Sequence, residues 1–110
     1  MEFSVSREQL LEKAQTAASV VERKQTMAIL SNILIEVDAT GAVLTGTDMD
    51  TEISPNMELD DVGSGGGVTV PGKKLVEIAK ALPEGSIVQF KQDGVQMLLS
   101  SGRSRFKLST

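Results

Sequence analysis

Val68-Thr69-Val70-Pro71, followed by Leu75-Val76-Glu77 and Ala79, restates a pattern that opens the chain sixty-five positions earlier, where Phe3-Ser4-Val5-Ser6 is followed by Leu10-Leu11-Glu12 and Ala14. Each copy begins with alternating apolar and polar residues, the period of a strand with one buried face. A turn and then apolar residues at helical spacing follow, in the same phase in both copies. Alternating runs come after each helix. The order read from the sequence is therefore βαβββ twice, an α+β class with two pseudo-symmetric halves. Two helices form one layer against antiparallel sheets. The half-units fall at about 1–60 and 67–110 of a single domain. Scaffolds of this symmetry suit binding or encircling a partner.

Working outward, Ser6 and Gln9 have capping-box spacing, with Ser at the N-cap and Gln three residues in. Leu10, Ala14, Ala17, Ala18 and Val21 form one apolar stripe, and Lys13 and Thr16 lie toward the other face. Residues 22–26 are a polar loop and 29–37 a strand. Asp38-Ala39-Thr40-Gly41 is a turn, followed by strands at 42–47 and 50–59. Pro55 places the last of these at a sheet edge or a bulge. Asp60 to Gly67 reads as a flexible loop between the halves. The second helix runs from about Pro71 to Leu82, with Leu75, Ile78, Ala79 and Leu82 inward and Lys73, Glu77 and Lys80 outward. Strands near 86–92, 95–100 and 103–109 complete the chain, with a hairpin at Asp93-Gly94.

Composition narrows the chemistry. The chain has 110 residues, 40% of them hydrophobic and 3% aromatic, so one core of aliphatic side chains is expected. With no Cys and no His, disulfides, thiolate and imidazole metal sites and the commonest general base are excluded. Met1-Glu2-Phe3-Ser4 has neither a basic segment nor an apolar one, so no secretory leader is expected and a cytoplasmic setting is. No apolar run approaches the roughly 18 residues that span a bilayer, so no membrane partner is expected. The net charge is −4 and unevenly spread. Residues 25–71 hold eight acids, Glu36, Asp38, Asp48, Asp50, Glu52, Glu58, Asp60 and Asp61, and no Lys or Arg. The rest of the chain is net basic, which makes a directional field rather than a uniform one.

Three catalytic or ligand motifs fail on inspection. Gly67 to Lys74 nearly matches a phosphate-binding loop, but Lys74 stands where a magnesium-holding Ser or Thr belongs. Asp48-Met49-Asp50-Thr51-Glu52 opens like a calcium loop, yet Ile53 and Leu59 occupy the positions that need Gly and Glu. Serines have no His to activate them. No catalysis, cofactor or metal is expected. Two constellations remain. Lys13 on the first helix and Lys73 and Lys80 on the second, with Arg23 and Lys24 after the first, add into one basic surface if the helices lie side by side. Without aromatic platforms, such a surface favours a duplex backbone over single strands. Arg103-Ser104-Arg105-Phe106-Lys107-Leu108-Ser109 reads as a terminal edge strand awaiting a partner.

Several segments, in order, resemble the N-terminal domain of the beta sliding clamps of bacterial DNA polymerase III. They are Arg7-Glu8-Gln9-Leu10-Leu11, Ile29-Leu30-Ser31-Asn32, Leu44-Thr45-Gly46-Thr47-Asp48, Val70-Pro71-Gly72-Lys73-Lys74, Leu82-Pro83-Glu84-Gly85 and Ser101 to Thr110. The resemblance implies the DNA-clamp fold and a processivity factor without catalytic residues. It also implies a head-to-tail ring dimer of three such domains per protomer, threaded by duplex DNA without sequence-specific contacts. Lys24, Lys73 and Gln15 match DNA-facing positions, to which helix geometry and charge add Arg23, Lys13 and Lys80. Lys74, Arg103, Arg105, Phe106 and Leu108 match the dimer seam, and Gln96 stands there where clamps can carry an arginine. The pocket for polymerase and clamp loader is implied in later domains, absent from a chain read here as the first. Two alternatives stay open on the residues alone: a β-rich protein-interaction module, and a nucleotide-binding enzyme using Gly67 to Lys74.

Overall fold

Described in a computed structural model over residues 1–21, 32–48 and 50–110, the chain alternates strands and two helices. In order these are β1 (Glu2–Ser6), α1 (Arg7–Val21), β2 (Asn32–Asp38), β3 (Gly41–Thr47), β4 (Glu52–Ile53), β5 (Asn56–Met57), β6 (Asp61–Ser64), β7 (Gly66–Pro71), α2 (Gly72–Ala81), β8 (Ile87–Asp93), β9 (Gln96–Ser101) and β10 (Ser104–Ser109). The polar loop read at 22–26, the start of the strand read at 29–37 and Met49 lie outside the described residues.

One sheet runs β10-β9-β8-β1-β6 and the other β4-β3-β2-β7, with β5 also beside β3. Each helix carries the chain from one sheet to the other, so the halves exchange their first strands. β1 pairs with β8 of the second half, and β7 with β2 of the first, both antiparallel. The registers repeat as well. Phe3 faces Phe90, which faces Leu99, and the corresponding row in the other sheet is Val68, Ile35 and Leu44. Met97 opposite Leu108 answers Ala42 opposite Met57. Exchange of this kind makes the duplication obligatory, because neither half owns a complete sheet.

The apolar stripes do what their spacing requires. Leu10, Ala14, Ala17, Ala18 and Val21 of α1 are all buried, as are Leu75, Ile78 and Ala79 of α2 and Leu82 after it. They meet the inward strand residues, among which Phe3 and Phe90 stack with centroids 4.6 Å apart and planes inclined by 11°. Such a pair contributes roughly 1 kcal/mol beyond the area it buries. No charged or polar residue is buried among the described residues.

Two local features depart from the sequence reading. The capping box is only half formed. The Gln9 N–H donates to Ser6 Oγ at 3.2 Å, but Gln9 Oε1 accepts from the Glu58 N–H at 3.2 Å instead of turning back on Ser6. Ser6 is already in register with Ile87, so its backbone belongs to the ladder and the glutamine serves a distant one. The second departure is the Asp60–Gly67 segment, which is sheet rather than flexible loop. β6 pairs with β1 in one sheet and β7 with β2 in the other, leaving Gly65 alone between them. A Cβ on Gly65 would stand 2.5 Å from the Val37 carbonyl oxygen, so the glycine lets the chain pass between sheets at close range. Strand pairing uses backbone groups only, which is why a glycine tract can form it while giving no side-chain signal. Pro55 fulfils its reading. The edge beside β3 breaks there into β4 and β5, and the Pro55 carbonyl accepts from the Leu44 N–H at 3.1 Å.

Candidate nucleic-acid interface

The two helices pack against one another. α1 is seated deeply: a Cβ on Gly46 of β3 would clash with the Ala17 carbonyl, so only glycine lets the helix backbone rest on that strand. The start of α1 is tied to the end of α2. Arg7 Nε donates to the Ala79 carbonyl at 3.0 Å, and the Arg7 N–H donates to the Ser86 carbonyl at 2.8 Å. Both Glu8 carboxylate oxygens accept from the Gly85 N–H at 3.2 Å. That hydrogen bond holds the Glu8 carboxyl below its ordinary range, with Arg7 adding to the effect.

The helices present different chemistry to solvent. Lys73, Lys74 and Lys80 of α2 are exposed. The first turn of α2 holds no acid, and its N-cap, Pro71, makes no side-chain capping bond. Two lysines beside a helix N-terminus oppose the macrodipole, each at a cost of about 0.3–1 kcal/mol, and an anion placed there would relieve both. Lys80, in the last turn, agrees with the dipole. On α1, Glu8, Glu12, Gln15 and Ser19 are exposed. Lys13 is half-buried, its Nζ 3.7 Å from Glu12 Oε2. The structure thus brings Gln15 and Lys13 onto one packed helix pair with Lys73 and Lys80. Arg23 and Lys24 lie outside the described residues.

The seam residues divide between two faces. Arg103 is exposed in the turn before β10, and Arg105 is exposed on the strand itself. Phe106 is half-buried opposite Leu99, while Leu108 is 5% exposed opposite Met97 and packs in the domain's own core. Lys74, Phe106 and Leu108 share a groove of about 320 Å³ between α2 and β10, with Ile78 and Glu77. Arg105 lines another cleft of about 320 Å³ with Lys91 and Leu98. Gln96 sits at the start of β9, opposite Ser109. Among the described residues β10 is paired on one side only. The Thr110 N–H donates to the Val95 carbonyl at 2.9 Å, and antiparallel alternation from that bond turns the backbone groups of Arg105, Lys107 and Ser109 toward the open edge.

A further group of acids lies on the strands and their turns. Glu36, Asp38 and Glu58 rim a cleft of about 620 Å³ beside β2, β3 and β5. Asp38 Oδ1 accepts from the Thr40 N–H at 2.8 Å, and hydrogen bonding from Thr40 holds its carboxyl below the ordinary range. Asp48 Oδ1 likewise closes a turn, accepting from the N–H groups of Asp50 and Thr51. Among the described residues no acidic cluster has metal-holding geometry. No helix there is long and apolar enough to cross a membrane.

Sequence reasoning assigned nothing to Arg7, Glu8 or Gly46. Arginine at the first position of a helix, against the macrodipole, was a signal for Arg7. Gly46 gave only a weak one, a glycine inside an alternating strand.

This geometry has close counterparts. The sequence profile of the family described as DNA polymerase III beta subunit, N-terminal domain, matches residues 1–110. The chain belongs to that family. The beta sliding clamp of Pseudomonas putida is 43% identical over 110 residues, which cover 100% of this chain and 30% of that protein. The beta sliding clamp of Escherichia coli K12 is 39% identical with the same coverage. A sliding clamp structure from Pseudomonas aeruginosa, bound to griselimycin, superposes with a TM-score of 0.93 at 41% identity, covering 99% of this chain and 30% of that one. The Caulobacter crescentus pol III beta structure gives a TM-score of 0.93 at 35% identity, over 99% and 29%. The α+β architecture of two helices and antiparallel sheets is thus that of sliding clamps, and the chain spans about 30% of the length of the relatives it matches.

Proposed function

We propose that this chain acts as the first of three domains in each protomer of a head-to-tail ring dimer. The ring encircles duplex DNA and tethers a replicative polymerase for processive synthesis. The domain comprises residues 1–110, its halves meeting between about 60 and 67. The observation that carries the reading is the packed helix pair: α2 offers three exposed lysines, Lys73 and Lys74 at an N-terminus without a side-chain cap and Lys80 in the last turn, while Glu36, Asp38 and Glu58 rim a cleft on β2, β3 and β5. Such a surface attracts phosphates at long range and reads no bases, which suits sliding. Lys73, Lys80, Lys13 and Gln15 face the duplex, joined by Arg23 and Lys24. β10 is the seam, where Lys74, Gln96, Arg103, Arg105, Phe106 and Leu108 form or support the surface that meets another protomer. Polymerase and clamp loader bind through the other domains. The protein acts in the cytoplasm on nucleoid DNA, needs no cofactor, and catalyses no reaction.

The decisive test uses the full-length protein that carries this domain. Lys73→Glu with Lys80→Glu shortens the lifetime of the loaded ring on nicked circular DNA, and raising salt shrinks the difference from wild type. An unchanged lifetime at low salt refutes the channel assignment. Arg103→Glu with Phe106→Ala moves the ring toward monomer in sedimentation velocity. A ring that stays dimeric removes β10 from the seam.

A further inference from the structure

We propose that Arg7 and Glu8 are positioning residues, forming a one-sided lock that fixes α1 against α2 and so sets where the lysines of α2 stand in the channel. The inference rests on the channel reading above and adds two residues whose bonds run to the second half of the chain.

Three bonds make the lock. Arg7 Nε reaches the Ala79 carbonyl, the Arg7 backbone N–H reaches Ser86, and the Glu8 carboxylate spans the Gly85 N–H. The Arg7 side chain is 16% exposed, and its Nη1 lies 3.4 Å from Glu8 Oε2, so the two side chains hold each other in place. The Ala79 carbonyl belongs to the last turn of α2, where the helix dipole is negative. A guanidinium there is favourable to α2, although it stands at the disfavoured end of α1. The arginine's position is therefore explained by the neighbouring helix rather than by its own.

The duplication supplies the control. The positions corresponding to Arg7 and Glu8 in the second half are Gly72 and Lys73. Gly72 has no side chain to reach across, and Lys73 has no acceptor to offer a backbone N–H. Only one end of the helix pair is locked by this pair of side chains. At the other, Gly72 is buried, Lys73 is exposed, and among the described residues no side chain caps the helix N-terminus. The halves have divided the work: one first turn fixes the geometry and the other presents charge.

The test reads inter-helix geometry directly. Spin labels at Ser19→Cys on α1 and Glu77→Cys on α2, in the full-length protein with any other cysteines removed, report the distance distribution between the helices. Arg7→Ala and Glu8→Ala each broaden or shift that distribution, and shorten the lifetime of the loaded ring by roughly threefold, as partial loss of one phosphate contact would. Glu8 is half exposed, so Glu8→Ala keeps the test valid if Arg7→Ala fails to fold. A distribution unchanged in Glu8→Ala overturns the lock, even if melting temperature falls. A broadened distribution with an unchanged lifetime overturns the positioning claim, provided Lys73→Glu with Lys80→Glu shortens it. If that lysine pair also leaves the lifetime unchanged, the channel reading fails and the positioning role falls with it, while the broadened distribution still shows Arg7 and Glu8 joining the helices.

Discussion

The first half of the duplication and the second bury equivalent residues and expose different ones. Val5 and Val70 are both fully buried, as are Leu10 and Leu75, and Phe90 and Ile35 hold corresponding places in the two sheets. Outside that shared core the halves diverge. α1 rests its backbone on β3 at Gly46, whereas the corresponding position in the second half is Ser101, which is half-buried. α1 shows acids and spends its first turn on bonds to the second half. α2 shows lysines and leaves a groove beside β10. A repeated core preserves the wall while its surface is free to specialise, because exposed substitutions cost little stability and buried ones cost much.

The sharpest way to break this comparison is Gly46→Ala. The added methyl drives α1 off β3, and the domain loses about 3 kcal/mol in urea denaturation, or does not fold. Ser101→Ala at the corresponding place changes stability by no more than about 0.5 kcal/mol. Equal effects would mean that the two helices are seated alike. A smaller effect is expected of Gln9→Ala, which removes the acceptor from the Glu58 N–H and costs about 1 kcal/mol by the same measurement. The corresponding position in α2 is Lys74, which reaches no such partner among the hydrogen bonds described, so Lys74→Ala is near neutral for folding.

The smallest effect concerns acid. The folded-state pKa of Glu8 is depressed, chiefly by the hydrogen bond from Gly85. Its stabilisation is therefore complete above the ordinary value of 4.5 and is lost as pH falls through the lower folded value. Glu8→Gln should lose less stability than wild type over that acid interval, read from urea midpoints between neutral pH and about pH 3. Parallel acid limbs for the two proteins would show that Glu8 makes no charge-dependent bond across the halves.

The duplication, the two apolar stripes, the break at Pro55 and the family are legible along the chain, through the periodicity of Leu10 to Val21 and the segment Ser101 to Thr110. Those features are local: the period of burial and the order of residues along the chain carry them. The folded packing alone shows that the halves exchange strands, that Gly65 passes between two sheets, that Gln9 reaches Glu58, and that Arg7 belongs to α2 as much as to α1. Each of those depends on a backbone group or a partner more than twenty-five residues away in sequence. Spacing along a chain does not encode which distant carbonyl a side chain will meet, and a glycine leaves no side-chain pattern to read.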